Sequence, residues 1–344
     1  MDYKKIEKAF NKVTKSNQIH EATLLVENSN GDFSYSTGYG NRNIDSLLVM
    51  ASITKLFTTT CILILQEKGC LSFNDKLSKF FNKSELEGLI VIGDNDYSFD
   101  LTISDLLFQV SGLPDSFEEG GKMVEALISQ NDSYVTFQET LKATKALKPQ
   151  FIPRTGSKAY YSNINFELLG EIIEKITQTP LNQIYKQFIF DPLALSKTYL
   201  PLDNTDIIPE IYYKRERLHR PLLIMSSRAS GGCISTTKEL MVFLKAFWNG
   251  TLFNKSVFKE LAIYRKVQSS KGPINYGGGY MQIPLNGAIT FFMGKGELLG
   301  HSGSTGSFAF YYPQKDLFFV GDVNQMANPA IPIRLSIQLA MLAK

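Results

Sequence analysis

The sequence predicts an α+β fold in which an antiparallel sheet, flanked by helices, carries an inserted all-helical segment. Three observations predict it. Short β-prone runs occur near both ends of the chain, the middle is helical in pattern, and a helix closes the C-terminus. Strands from the two ends then share one sheet. Residues 1–70 and 231–344 form the sheet domain, and residues 71–230 the insert.

The elements follow in order. Tyr3–Thr14 places Ile6, Ala9, Phe10 and Val13 on one helical face. Ala22–Glu27 and Asp32–Tyr39 flank the turn residues Asn28–Gly31 and read as a β-hairpin. Ile53–Lys68 lacks Gly and Pro and stops at Gly69, as a helix does. In the middle, helices are expected at Ile103–Val110, Met123–Ser129, Phe166–Thr177 and Leu181–Phe190, interrupted by a charged loop, Tyr212–Arg220. A helix over Thr237–Trp248 precedes candidate strands Tyr276–Ile283, Ala288–Met293, Ser307–Tyr312 and Leu317–Val323, and the last helix is Ile333–Leu342.

Composition narrows the function. In 344 residues, 44% are hydrophobic and 20% charged, with a formal net charge of +3. That is globular composition, and so small a surplus gives no basis for binding nucleic acid or an anionic membrane. Cys61, Cys70 and Cys233 are too few and too scattered for a disulfide framework, and Cys61 and Cys233 read as small core residues. His20, His219 and His301 lie in no metal motif, and no phosphate loop, GxGxxG or GxSxG is present, so no cofactor is expected. No apolar run approaches the ~18 residues of a membrane span. The first twenty residues lack an apolar secretory core, so a cytoplasmic protein is expected.

One tetrapeptide points to chemistry. Ser52-Ile-Thr-Lys55 opens a long helix. Residues three apart share a helix face, so the lysine can reach the serine hydroxyl. An amine kept neutral by burial can take its proton. The same pattern at Ser235–Lys238 reads as a helix N-cap. Two further clusters follow in the chain. Tyr161-Ser-Asn163 offers a phenol to relay a proton and an amide to hold a substrate. His301-Ser302-Gly303-Ser304 offers a small residue beside a strand edge, and the Ser304 N–H can join that of Ser52 in an oxyanion hole. Tyr39-Gly40-Asn41 also matches Y-x-N but falls at the end of a hairpin strand and reads as a turn.

Together these residues resemble the penicillin-recognising serine hydrolases: class C β-lactamases, DD-peptidases and related esterases. Their motifs S-x-x-K, Y-x-N and [KH]-[TS]-G stand here as Ser52–Lys55, Tyr161–Asn163 and His301–Gly303. The likeness extends through Leu56–Phe80, Leu101–Pro114, Phe166–Pro180, Ala229–Thr236 and His301–Pro313, from about residue 20 to the end. It implies the β-lactamase/transpeptidase-like fold, with a groove between sheet and insert. It also implies an acyl-enzyme on Ser52, with Lys55 and Tyr161 sharing acid and base work. Asn163, His301, Ser302, Gly303 and Ser304 would bind substrate. Arg334 resembles an arginine near the substrate carboxylate; a surface helix cation is the other reading. His301 stands where class C enzymes carry a lysine. A histidine is only partly charged near neutrality and anchors a carboxylate less firmly. The expected substrate is a small ester, amide, peptide or β-lactam, with the ester or peptide favoured; the alternative is a penicillin- or muropeptide-binding protein with little turnover. Gln109 is expected to be structural, and Tyr276 and Tyr280 to wall the groove.

Overall fold

The computed structural model describes residues 1–119, 125, 128, 132–203 and 205–343. Apart from Glu125 and Ile128, the helix expected at Met123–Ser129 lies outside them.

Eight strands form one antiparallel sheet, in the order Ser34–Tyr39, Ala22–Asn28, Leu317–Asp322, Ser307–Tyr312, Glu297–Ser302, Met281–Pro284, Asn275–Tyr276 and Arg265–Lys266. The N-terminal hairpin thus pairs directly with the last strand, Leu25 opposite Val320. Every residue of Leu317–Asp322 is buried, because helices cover both faces. Helix Thr237–Asn249 packs on one side. Helices Tyr3–Thr14 and Ala330–Leu342, in contact with each other, pack on the other. Among the described residues of 71–230, no strand joins this sheet. The α+β class holds.

Helix Thr54–Glu67 runs through the middle of the molecule. It is buried from Thr54 to Leu65, so its apolar and threonine residues need no polar face. Its threonine hydroxyls turn back onto backbone carbonyls: Thr59 Oγ1 to Lys55 O (2.8 Å) and Thr60 Oγ1 to Leu56 O (2.8 Å). Helix Asn163–Thr177 packs beside it. A short helix, Arg228–Gly231, bridges the two. Gly170 makes that approach possible, since a Cβ there would lie 2.5 Å from the Ala229 Cβ. Arg228 locks the contact by pairing with Glu171 (2.5 Å) and Glu174 (2.6 Å).

Four expectations are corrected. The run Tyr276–Ile283 is two paired strands, because Gly277-Gly278-Gly279 folds between them and Gly279 takes a φ of +93°. Ala288–Met293 is a turn. Thr290 Oγ1 bonds back to Leu285 O (2.5 Å) and receives Gly294 N (3.1 Å), and Phe291 and Phe292 take positive φ. The strand next to Met281–Pro284 is instead Glu297–Ser302. The charged segment Tyr212–Arg220 belongs to a hairpin, Ile211–Tyr213 with Glu216–Leu218. Its tip is tied down by His20 Nε2 at Lys214 O (3.2 Å) and by Gln325 at both backbone groups of Lys214 (2.8 and 2.9 Å). Finally, the N-cap of helix Thr237–Asn249 is Thr236, not Ser235; Ser235 lies within the preceding strand.

No helix among the described residues is long and apolar enough to cross a membrane. Cys61, Cys70 and Cys233 are free thiols.

Candidate active site

Ser52 sits on a tight turn between a strand and the central helix. Strand Leu47–Val49 pairs with Ile234–Thr236, and the Met50 N–H donates to Cys233 O (2.9 Å). Ala51 then takes a φ of +45°, a conformation that side-chain-bearing residues rarely adopt. The turn is pinned from the far side as well: Thr305 Oγ1 donates to Val49 O (2.9 Å) and Ser307 Oγ to Met50 O (2.8 Å). Gly303 lies so close to this turn that a Cβ would stand 2.5 Å from Met50 O. Ser52 caps nothing; the helix begins without a side-chain cap. Its hydroxyl meets Lys55 instead.

Lys55 is fully buried. Its ammonium position contacts Ser230 O (2.6 Å), Asn163 Oδ1 (2.7 Å) and Ser52 Oγ (3.2 Å). Burial pushes its pKa down to about 7, with the carboxylates of Asp115, Glu118 and Glu167 opposing the shift. A neutral amine has two N–H donors and one lone pair. Ser230 O and Asn163 Oδ1 can only accept. The lone pair is therefore left for Ser52, the one partner that can donate.

The Tyr161–Asn163 run is held by three side chains from two other stretches of the chain. The Tyr161 N–H donates to Gln268 Oε1 (2.8 Å), and Gln268 Nε2 returns a bond to Tyr161 O (3.1 Å). The Ser162 N–H donates to Gln109 Oε1 (2.9 Å). The Asn163 N–H and Nδ2 both donate to Asp115 Oδ2 (2.8 and 2.9 Å). Asn163 thus spends its carbonyl on Lys55 and its amide on Asp115. Gln109 is structural, as expected, and holds this role from a backbone φ of +57°. Sequence reasoning missed Asp115, Gln268 and Glu167. Glu167 is buried one helical turn beyond Asn163 and accepts from the Ser230 N–H (2.9 Å). It thereby fixes the carbonyl that Lys55 uses.

The Tyr161 hydroxyl is buried and has no partner in normal hydrogen-bond geometry, although Ser52 is near enough to favour its ionised form. Burial outweighs that and raises its pKa well above the ordinary phenol value, so it is a proton donor.

His301 is brought to the site but lies behind it. It is fully buried, its ring 5.9 Å from that of Tyr161. Nδ1 lies 2.9 Å from Ser302 O, which can only accept, so Nδ1 carries the proton. Nε2 then accepts from the Tyr276 hydroxyl at 3.4 Å. Burial, followed by the charge of Lys55, pushes its pKa down to about 3. His301 is therefore a neutral strut beneath Tyr161 and offers a substrate carboxylate no charge. Tyr276 and Tyr280 are likewise buried, and neither walls the groove. Tyr276 backs Tyr161 at 5.7 Å, and Tyr280 packs on Trp248.

Two cavities meet at Ser52 and Ser304. One, of about 580 Å³, is lined by Tyr161, Ser302, Gly303, Lys271 and Arg334. Arg334 is exposed and has no ion pair among the described residues; Lys271 pairs with Glu118 and lies 5.1 Å over the Tyr161 ring. The other, of about 210 Å³, is mainly apolar. Among the described residues no cluster of side chains is suited to hold a metal ion.

A family model described as Beta-lactamase matches residues 7–340. A protein of Salmonella heidelberg (strain SL476) named "Putative D-alanyl-D-alanine carboxypeptidase" is 26% identical over 318 residues, covering 82% of this chain and 71% of its own length. The structure of a D-stereospecific amidohydrolase from Streptomyces sp. superposes with a TM-score of 0.76 at 24% identity, covering 95% of each chain. That of EstCE1, a hydrolase with promiscuous acyltransferase activity, does so at 0.78 and 16% identity, covering 98% of this chain and 97% of its own. With a family match over almost its whole length and a fold shared end to end with these structures, the chain is a hydrolase of the beta-lactamase family.

Proposed function

We propose that the protein hydrolyses a small ester, amide or peptide through an acyl-enzyme on Ser52. The observation that carries this reading is the buried Lys55, whose only partner among the described residues able to donate a proton is Ser52 Oγ at 3.2 Å. As Ser52 Oγ bonds to the substrate carbonyl carbon, its proton passes to the Lys55 amine. The N–H groups of Ser52 and Ser304 face the developing oxyanion. When the bond to the leaving group breaks, Tyr161 gives that group its hydroxyl proton and is reprotonated from Lys55. Water then attacks the ester and gives its proton to Lys55, which passes it to Ser52 Oγ as the acid departs, restoring the serine hydroxyl and the neutral amine. Asn163 acts in this scheme by aligning Lys55. Ser302 and Gly303 edge the groove on the leaving-group side, with Arg334 as its free cation.

The neutral His301 supports an ester or peptide over a penicillin, whose carboxylate it cannot pair with. The groove lies where residues 1–70 and 231–344 meet residues 71–230, which supports reading these as a sheet domain and an insert. Three free cysteines support a reducing compartment such as the cytoplasm.

Intact-mass analysis after incubation with p-nitrophenyl phenylacetate, and separately with benzylpenicillin, tests the function. A transient acyl adduct on the wild type, absent from Ser52→Ala, is expected with the ester. An adduct retained in Ser52→Ala would overturn the assignment. A penicillin adduct that forms and never decays would favour the binding protein with little turnover.

A further inference from the structure

The smaller cavity has a chemistry of its own. Its walls include Val49, Phe117, Ile211, Leu223, Ile224 and Met326, and Ser52 lies at its mouth. We propose that it seats the acyl group of the substrate and that this group is apolar, of about the size of a phenylacetyl or hexanoyl chain. The proposal rests on the acyl-enzyme function above and assigns the half of the substrate that function leaves open.

Polarity of the site fixes which half goes where. Tyr161 lines only the larger cavity. Its phenol protonates the departing group, so the leaving group occupies that side. The remaining substituent of the carbonyl must extend the other way, past Ser52 and Ser304, into the apolar cavity.

Size and charge narrow the group. An apolar cavity of about 150 Å³ admits benzene, and this one, at about 210 Å³, has room for a ring and a methylene or two. The charged side chains among its described lining residues are Glu118 and Glu167. Both are carboxylates near Ser52, and both disfavour an anionic acyl chain.

The walls are prebuilt. Val49, Ile211, Leu223 and Ile224 belong to a second buried apolar cluster, separate from the main core, with Phe117 and Met326 packed against it. The hairpin that carries Ile211 is fastened by the Met326 N–H to Tyr212 O (2.9 Å) and by the His20 ring stacked 4.6 Å from that of Tyr212. A pocket with a mainly apolar surface beside a few placed polar groups is the usual form of a small-molecule site.

The test keeps the leaving group constant and varies the acyl group, using p-nitrophenyl acetate, hexanoate, octanoate, phenylacetate and glutarate. Each buried methylene contributes roughly fourfold to affinity. The wild type is therefore expected to show a kcat/KM for hexanoate and phenylacetate about tenfold or more above acetate, with glutarate well below hexanoate. Ile224→Trp, which fills the cavity, should cut the hexanoate-to-acetate ratio about tenfold. Met326→Ala, which enlarges it, should raise the ratio of octanoate to hexanoate. Such ratios do not depend on how much of a variant folds. Ratios within threefold across the series, or unmoved by both variants, would overturn the acyl seat while Ser52 is still acylated. No acylation of Ser52 by any of the esters would overturn the function beneath it.

Discussion

The chain carries two S-x-x-K tetrapeptides, and they end in opposite surroundings. At Ser52–Lys55 the lysine is wholly buried and touches a serine, an asparagine and a backbone carbonyl. At Ser235–Lys238 the lysine side chain is 61% exposed and pairs loosely with Asp45 at 3.8 Å. Ser235 itself is buried and bonded to Thr198 Oγ1 at 2.8 Å, and among the described residues it makes no hydrogen bond to a lysine. The spacing is identical, so spacing does not make a nucleophile. What differs is burial. Desolvation lowers the Lys55 pKa from the ordinary lysine value to about 7, and that puts a base beside a hydroxyl at neutral pH.

The sharpest way to break this comparison is to truncate both lysines. Lys55→Ala should lower kcat/KM about a thousandfold, the scale of a lost general base, whereas Lys238→Ala should leave it within about twofold. Steady-state kinetics on one ester decide, and equal losses would make the contrast meaningless.

His301 sharpens it from another side. Its folded-state pKa of about 3 lies below the ordinary value of 6.5. The unfolded chain therefore binds the extra proton first, and stability falls as the pH drops from about 6.5 toward 3. The loss is of the order of a few kcal/mol. His301→Asn keeps a donor toward Ser302 O but does not titrate. Urea unfolding at pH 7 and pH 4.5 should show a smaller stability loss in the variant than in the wild type.

Asp115 tunes Lys55, the proposed base. Its charge raises the Lys55 pKa, against the effect of burial. Asp115→Asn should therefore move the acidic limb of the kcat/KM profile to lower pH, a change of several-fold in relative rate near pH 6. A shift to higher pH would contradict the electrostatic account. The smallest effect is expected at Gln268. Gln268→Glu keeps the acceptor for the Tyr161 N–H and loses the donor to its carbonyl. A drop in kcat of about twofold with KM little changed would mark a positioning role.

These contrasts also explain what was legible beforehand. Ser52, Lys55 and Tyr161, the proposed catalytic residues, were visible because such residue types at fixed spacing leave a local signature. The terminal strands were visible because apolar runs such as Leu317–Val323 are bounded by turns. The hairpin within Tyr276–Ile283 was hidden in one apolar run, and only the three glycines hinted at it. Ala288–Met293 is apolar enough for a strand, yet a single threonine side chain closes it into a turn. Asp115 and Gln268 act from far along the chain, 48 residues from Asn163 and 107 from Tyr161. No local pattern marks such partners. The charge state of His301 was illegible for the same reason, since it is set by burial.

The central claim is that burial of Lys55 activates Ser52. The pH dependence of Ser52 acylation, followed by intact mass between pH 5 and 9 with p-nitrophenyl phenylacetate, tests it most directly. The account predicts a rate that climbs tenfold per pH unit and levels off near pH 7, with no adduct in Ser52→Ala. A flat profile across that range would contradict it.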